Sequence, residues 1–140
     1  MKRLTRQGKK SGIIRNKALE LVRYVPAKDW PGQVNAIFEF VRDRIRYVRD
    51  IRGVETVAFA ERVLEQGQGD CDDEAVLLGS LLESVGHPTR FMAVGFSPGK
   101  LSHVFTQTLI GRKWISLDPT EPVAMGWEPK GIVERLSINN

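Results

Sequence analysis

Gly67-Gln68-Gly69-Asp70-Cys71-Asp72-Asp73-Glu74 opens the stretch GQGDCDDEAVLLGSLLESVG (residues 67–86), whose reading decides the fold. From Cys71 to Val85 the pattern is that of a strong helix, closed by Gly86 with Pro88 just beyond. Ala75, Val76, Leu77, Leu78, Leu81, Leu82 and Val85 make a broad apolar face, so this helix is expected to be buried against a sheet. Gly79 and Ser80 in its middle permit close approach of a neighbour. Cys71, the only cysteine, stands at the N-terminal end of the rod. There the unpaired backbone N–H groups and the helix dipole favour an anion, and thiols at helix starts are activated. Asp70, Asp72 and Asp73 crowd the sulfur, and nearby negative charge holds a thiol protonated. Their placement has a local reason. Acids in the first turn complement the dipole, and the Asp70–Asp73 spacing mimics a capping box with Asp in place of Glu or Gln. A reactive Cys71 therefore needs a compensating cation, for which histidine is the natural source.

Outward from this helix, the chain of 140 residues is the size of one domain with one buried core. No apolar run approaches membrane-spanning length, and the basic start lacks the apolar region of a secretory signal. A lone thiol suits a reducing cytoplasm, which is the compartment expected. The net charge of +4 hides an asymmetry: Met1 to Arg52 carries 14 Lys and Arg against 5 Asp and Glu, and Gly53 to Asn140 carries 7 against 12. A basic front half is a possible meeting place for nucleic acid or an acidic partner. Glu39 and Asp43 interleave with Arg42, Arg46 and Arg49, however, which favours a solvated face.

Met1 to Gly12 is polar, basic and aperiodic and is read as a flexible tail, leaving a single domain over residues 13–140. Ile13 to Val25 reads as a short amphipathic helix ended by Pro26. A second helix begins with Asp29 as cap and Pro31 in the first turn, with Val34, Ile37, Phe38, Val41, Ile45 and Val48 on one stripe. A short extended piece at Glu55 to Val57 and a helical turn near Glu61 to Leu64 precede Gly67. After Gly86, strands are expected at Thr89 to Phe96, Ser102 to Ile110 and Lys113 to Leu117, with a last short element at Ile132 to Leu136. Helices first and antiparallel strands later make the fold class α+β, the Cys71 helix packing on the sheet.

Of the two histidines, His87 follows the far end of the Cys71 helix, roughly 24 Å from the sulfur at ~1.5 Å per residue, and reads as a surface turn. His103 starts a strand on which His103, Phe105, Gln107 and Leu109 share one face. The next strand presents Trp114, Ser116 and Asp118 on one face. A two-residue loop at Gly111-Arg112 sets Asp118 opposite Phe105; a loop at Ile110-Gly111 sets it opposite His103 itself. Both registers leave His103 and Asp118 as neighbours on one face. Cys71, His103 and Asp118 are thus candidates for nucleophile, base and orienting carboxylate. The Cys71 backbone N–H is a candidate oxyanion donor, with Gln66 or Gln68 for a second. A metal site built from Asp70, Asp72, Asp73 and His103 is disfavoured, because successive helical residues point different ways.

Gly69-Asp70-Cys71-Asp72, then His103-Val104, then Asp118-Pro119-Thr120 resemble, in order and spacing, the motifs of the transglutaminase-like superfamily, relatives of the papain-like cysteine proteases. The resemblance covers roughly Val54 to Glu121, and the short size resembles small versions carried by bacteria and by bacteriophage or prophage. It implies a papain-like α+β core, no cofactor, no metal, and acyl transfer through a thioester by Cys71, His103 and Asp118 on a protein or peptide substrate. Thr106, after His103-Val104-Phe105, departs from the aromatic and acid that many relatives carry there. A cysteine peptidase or amidase is the leading expectation. Transfer of a glutamine acyl group to an amine, and a binding or assembly protein keeping the fold without the chemistry, are the alternatives.

Overall fold

The Cys71 helix is the axis of the structure, a computed structural model that describes residues 1–49 and 59–140. As helix α5, Cys71–Ser84, it is buried without interruption from Glu74 to Leu82. Its start carries the expected capping box: Asp70 accepts from the Asp73 backbone N–H at 2.9 Å, and Asp73 accepts from that of Asp70 at 3.1 Å. Its end is tied by the backbone N–H groups of Gly86 and His87, which donate to the Glu83 and Leu82 carbonyls.

Four helices surround it: α1 (Lys2–Lys9), α2 (Gly12–Val22), α3 (Trp30–Arg44) and α4 (Ala60–Gln66). The α3 cap is Asp29, whose side chain accepts from the Gly32 backbone N–H, with Pro31 in the first turn. Val34, Ile37, Phe38 and Val41 of α3 are fully buried. The expected stripe ends early, because α3 stops at Arg44 and the chain turns extended at Ile45, leaving Val48 partly exposed. The extended chain forms β1 (Arg46–Tyr47), which pairs in parallel with β2 (Gln68–Gly69), setting Tyr47 beside Gly69.

The tail reading of Met1 to Gly12 is corrected by α1. Thr5 is 1% exposed, and Gly8 lies so close to α5 that a Cβ there would sit 2.1 Å from Ser80 Oγ and 2.6 Å from Ser80 Cβ. The gap left by Gly79 and Ser80 is filled by the segment whose polarity concealed its role. The chain then reaches α2 through Ser11, which accepts from the Ile14 backbone N–H and donates to Glu61.

The other side of α5 meets an antiparallel sheet of β3 (Thr89–Gly95), β4 (His103–Ile110), β5 (Lys113–Leu117) and β6 (Glu134–Asn139), in the order β5-β4-β3-β6. The final strand lies slightly later than expected, and pairs with β3. Phe91, Val104 and Leu117 join the α5 core, whereas Met92, Val94 and Phe105 form a small second cluster with Ile132. No helix among the described residues is long and apolar enough to cross a membrane. The expected extended piece at Glu55 to Val57 lies outside the described residues.

Candidate active site

Three elements deliver the three expected side chains to one place. Cys71 is the first residue of α5 and is half-buried. His103 is the first residue of β4. Asp118 follows β5 and is 1% exposed. The hairpin takes the Gly111-Arg112 loop, with Ile110 opposite Lys113 and Thr106 opposite Leu117. Gly111 alone in that loop has positive φ, at 64°, as a turn of the II′ type requires of its first residue. This register makes Asp118 a diagonal neighbour of His103, and His103 Nε2 lies 2.7 Å from Asp118 Oδ2. The ring nitrogen donates there, because a carboxylate can only accept.

The Asp118 carboxylate is anchored at its other oxygen. Oδ1 accepts from the Thr120 hydroxyl at 2.7 Å and from the Thr120 backbone N–H at 3.1 Å. Cys71 also acts on the imidazole, favouring its protonated form, and Nδ1 is the ring nitrogen that Asp118 does not engage. Burial depresses the His103 pKa and is the largest single effect, but the hydrogen bonds and negative charge of Asp118 and Cys71 together outweigh it and push it up to about 10. These interactions favour the protonated ring, the cation that the acid-crowded thiol calls for.

Thr106 joins the two halves of the site. Its hydroxyl, fully buried on β4, donates to the Ala75 carbonyl of α5 at 3.1 Å, locking the His103 strand to the Cys71 helix. His87, by contrast, is not a surface residue. It is 7% exposed, its Nε2 lies 3.0 Å from Gln33 Oε1, and burial lowers its pKa. Gln66 and Gln68 are both exposed in the chain leading into α5. Among the described residues, no group of three or more His, Cys, Asp or Glu side chains is arranged to hold a metal ion.

Two residues of this region escaped the sequence reading. Glu74 is fully buried, neither of its carboxyl oxygens has a hydrogen-bond partner among the described residues, and its pKa is raised to about 9. Burial is the main cause, the negative charges of Asp118, Asp70 and Asp73 add to it, and His103 opposes. Its signal was present in the sequence: Glu74 falls on the stripe of Leu77, Leu78 and Leu81, a polar residue in a core register. Asp70 is raised to about 6, first by burial and then by Asp73 and Asp72, with its backbone hydrogen bond opposing. Tyr47 is the second missed residue. Burial is the main reason its pKa is raised, and Arg49 opposes the rise; its strand partner, Gly69, stands two residues before Cys71. Only the parallel β1–β2 pairing brings it there, and no local pattern announces that.

Comparison with known proteins agrees with this architecture. A protein called LapG from Legionella pneumophila superposes with a TM-score of 0.68 at 16% identity, covering 99% of this chain and 83% of that one. A proposed cysteine protease from Cytophaga hutchinsonii superposes with a TM-score of 0.65 at 19% identity, covering 91% of this chain and 46% of its own. A protein described as a TGase gives 0.63 at 13% identity, covering 89% of this chain and 34% of that one. The chain thus spans less than half the length of the last two structures. No curated protein matches the chain significantly. The model of the transglutaminase-like superfamily matches residues 19–119, well over half of the sequence. The chain accordingly belongs to the transglutaminase-like superfamily and shares the fold of its structural neighbours.

Proposed function

We propose that the protein is a cysteine hydrolase of the peptidase or amidase type, with Cys71 as nucleophile, His103 as general base and acid, and Asp118 as the carboxylate that orients His103. What supports this reading is the His103–Asp118 hydrogen bond at 2.7 Å, on a strand that Thr106 ties to the helix whose first residue is Cys71. His103 takes the proton of the Cys71 thiol. The thiolate attacks the carbonyl carbon of the scissile amide, and the carbonyl π electrons move onto oxygen. The Cys71 backbone N–H, which has no intrahelical partner at the first helical position, donates to that oxyanion. Gln66 or Gln68 is the proposed source of a second donor. The tetrahedral species collapses, the C–N bond breaks, and His103 gives its proton to the departing amine. A water then adds to the thioester as His103 takes its proton, and the acid and the free thiol are released.

Treatment with iodoacetamide followed by intact-mass measurement is expected to label the wild-type protein once, at Cys71. Labelling is expected to be absent in Cys71→Ala and slowed in His103→Ala. Equal labelling rates in wild type and His103→Ala would sink the assignment of His103. Incubation with peptide amides, with and without an added primary amine, then separates hydrolysis from transfer by the mass of the product.

A further inference from the structure

A cleft of about 410 Å³ adjoins the candidate active site and is not used by the chemistry above. One side is the end of α3 with β1, presenting Arg42, Arg44, Arg46 and Tyr47. The other is the turn after Asp118, presenting Pro119, Thr120 and Glu121. Both sides lead to the site: Thr120 holds Asp118 through its hydroxyl, and Tyr47 pairs with Gly69, two residues before Cys71. The volume is within the range of small-ligand sites, about 300–1,000 Å³.

The charges of the cleft are unevenly matched. Arg42 is committed, its Nε and Nη2 bound to Asp43 at 2.7 and 2.8 Å and its Nη1 to the Val123 carbonyl at 3.0 Å. Arg44 and Arg46 are exposed and form no ion pair within 4.0 Å among the described residues. Glu121 is the one acidic lining residue besides Asp43. Two arginines thus face a single unspent carboxylate, next to a tyrosine whose hydroxyl can donate. Guanidinium groups bind carboxylates through paired N–H donors. On the helix side of the sulfur the field has the opposite sign, from Asp70, Asp72 and Asp73.

Resting on the proposed thiol chemistry, we infer that this cleft is a substrate subsite that takes an acidic side chain, Asp or Glu, of the peptide being cleaved, held by Arg44 and Arg46. The test uses the full chain and iodoacetylated dipeptides carrying Glu, Ala or Lys next to the reactive carbon. Each alkylation rate at Cys71 is divided by the same protein's iodoacetamide rate. The Glu probe is expected to react at least about 10-fold faster than the Lys probe, the scale of one charge-assisted pair. In Arg44→Glu combined with Arg46→Glu the order is expected to reverse, with Arg44→Gln combined with Arg46→Gln falling between. Equal Glu and Lys rates, a faster Lys probe, or a Glu preference that survives charge reversal overturns the subsite. In each of those cases iodoacetamide labelling of Cys71 leaves the thiol chemistry standing. A protein that iodoacetamide does not label overturns both.

Discussion

Asp118 is held at both oxygens, by His103 on one and Thr120 on the other, so its plane and that of the imidazole are set together. Asp118→Asn replaces an obligate acceptor with a group that can present a donor to the ring. It is expected to lower kcat/KM on any cleaved peptide by about 10²–10⁴-fold while circular dichroism shows a retained fold. An unchanged rate would remove Asp118 from the mechanism. Glu74 poses the opposite case, a buried carboxyl without a hydrogen-bond partner among the described residues. Glu74→Met puts an apolar chain of similar length in that slot and is expected to stabilise the protein by about 1–3 kcal/mol in urea denaturation. A loss of stability there would mean that the acid is satisfied in solution.

Two elements govern whether the site residues meet. The first is α1, docked on α5 through Gly8. Alanine for glycine within a helix ordinarily gains about 1 kcal/mol. At Gly8 the new methyl would meet the Ser80 side chain, so Gly8→Ala is expected to destabilise by about 1–3 kcal/mol, read as a lower denaturation midpoint. A neutral or stabilising result would show α1 free of α5. The second is the β4–α5 contact through Thr106. Thr106→Val keeps the shape and deletes the donor, at a cost of about 1 kcal/mol. Because the bond joins the His103 strand to the Cys71 helix, the iodoacetamide rate at Cys71 should fall with it. A changed midpoint with an unchanged labelling rate would confine Thr106 to stability.

For the whole molecule, the raised acids and the raised histidine act in the same direction on pH dependence. Glu74 holds a proton up to about 9 in the folded chain and loses it near 4.5 when unfolded, so folding weakens as pH rises between those values. His103, up at about 10 from 6.5, contributes stability that is full below 6.5 and lost as pH climbs toward 10. Asp70, near 6 instead of 3.8, adds a loss over that lower interval. The thermal midpoint is therefore expected to be highest at mildly acidic pH and to fall steadily toward pH 9. Glu74→Gln should flatten that fall while leaving the His103 part. A midpoint that is level from pH 5 to pH 9 would contradict the burial of both groups.

The linear chain by itself determined every feature whose cause is local. The capping box of α5, its apolar face, and the α3 start at Asp29 and Pro31 rest on residues within a few positions of each other. Alternation along β4 and the turn options placed His103 and Asp118 on one face before the register was known, because side chains on a strand repeat every second residue. Tertiary structure decided the rest. Nothing near Thr5 and Gly8 says that a basic, aperiodic segment will dock on Gly79 and Ser80, since the reason lies in the shape of a surface some 70 residues away. Tyr47 comes to Gly69, just before the Cys71 helix, only through a parallel pairing, and the buried His87 finds its partner in Gln33 of α3, 54 residues away. Local pattern fixes which face of an element is apolar, but which partner covers that face is settled by packing between elements distant in sequence.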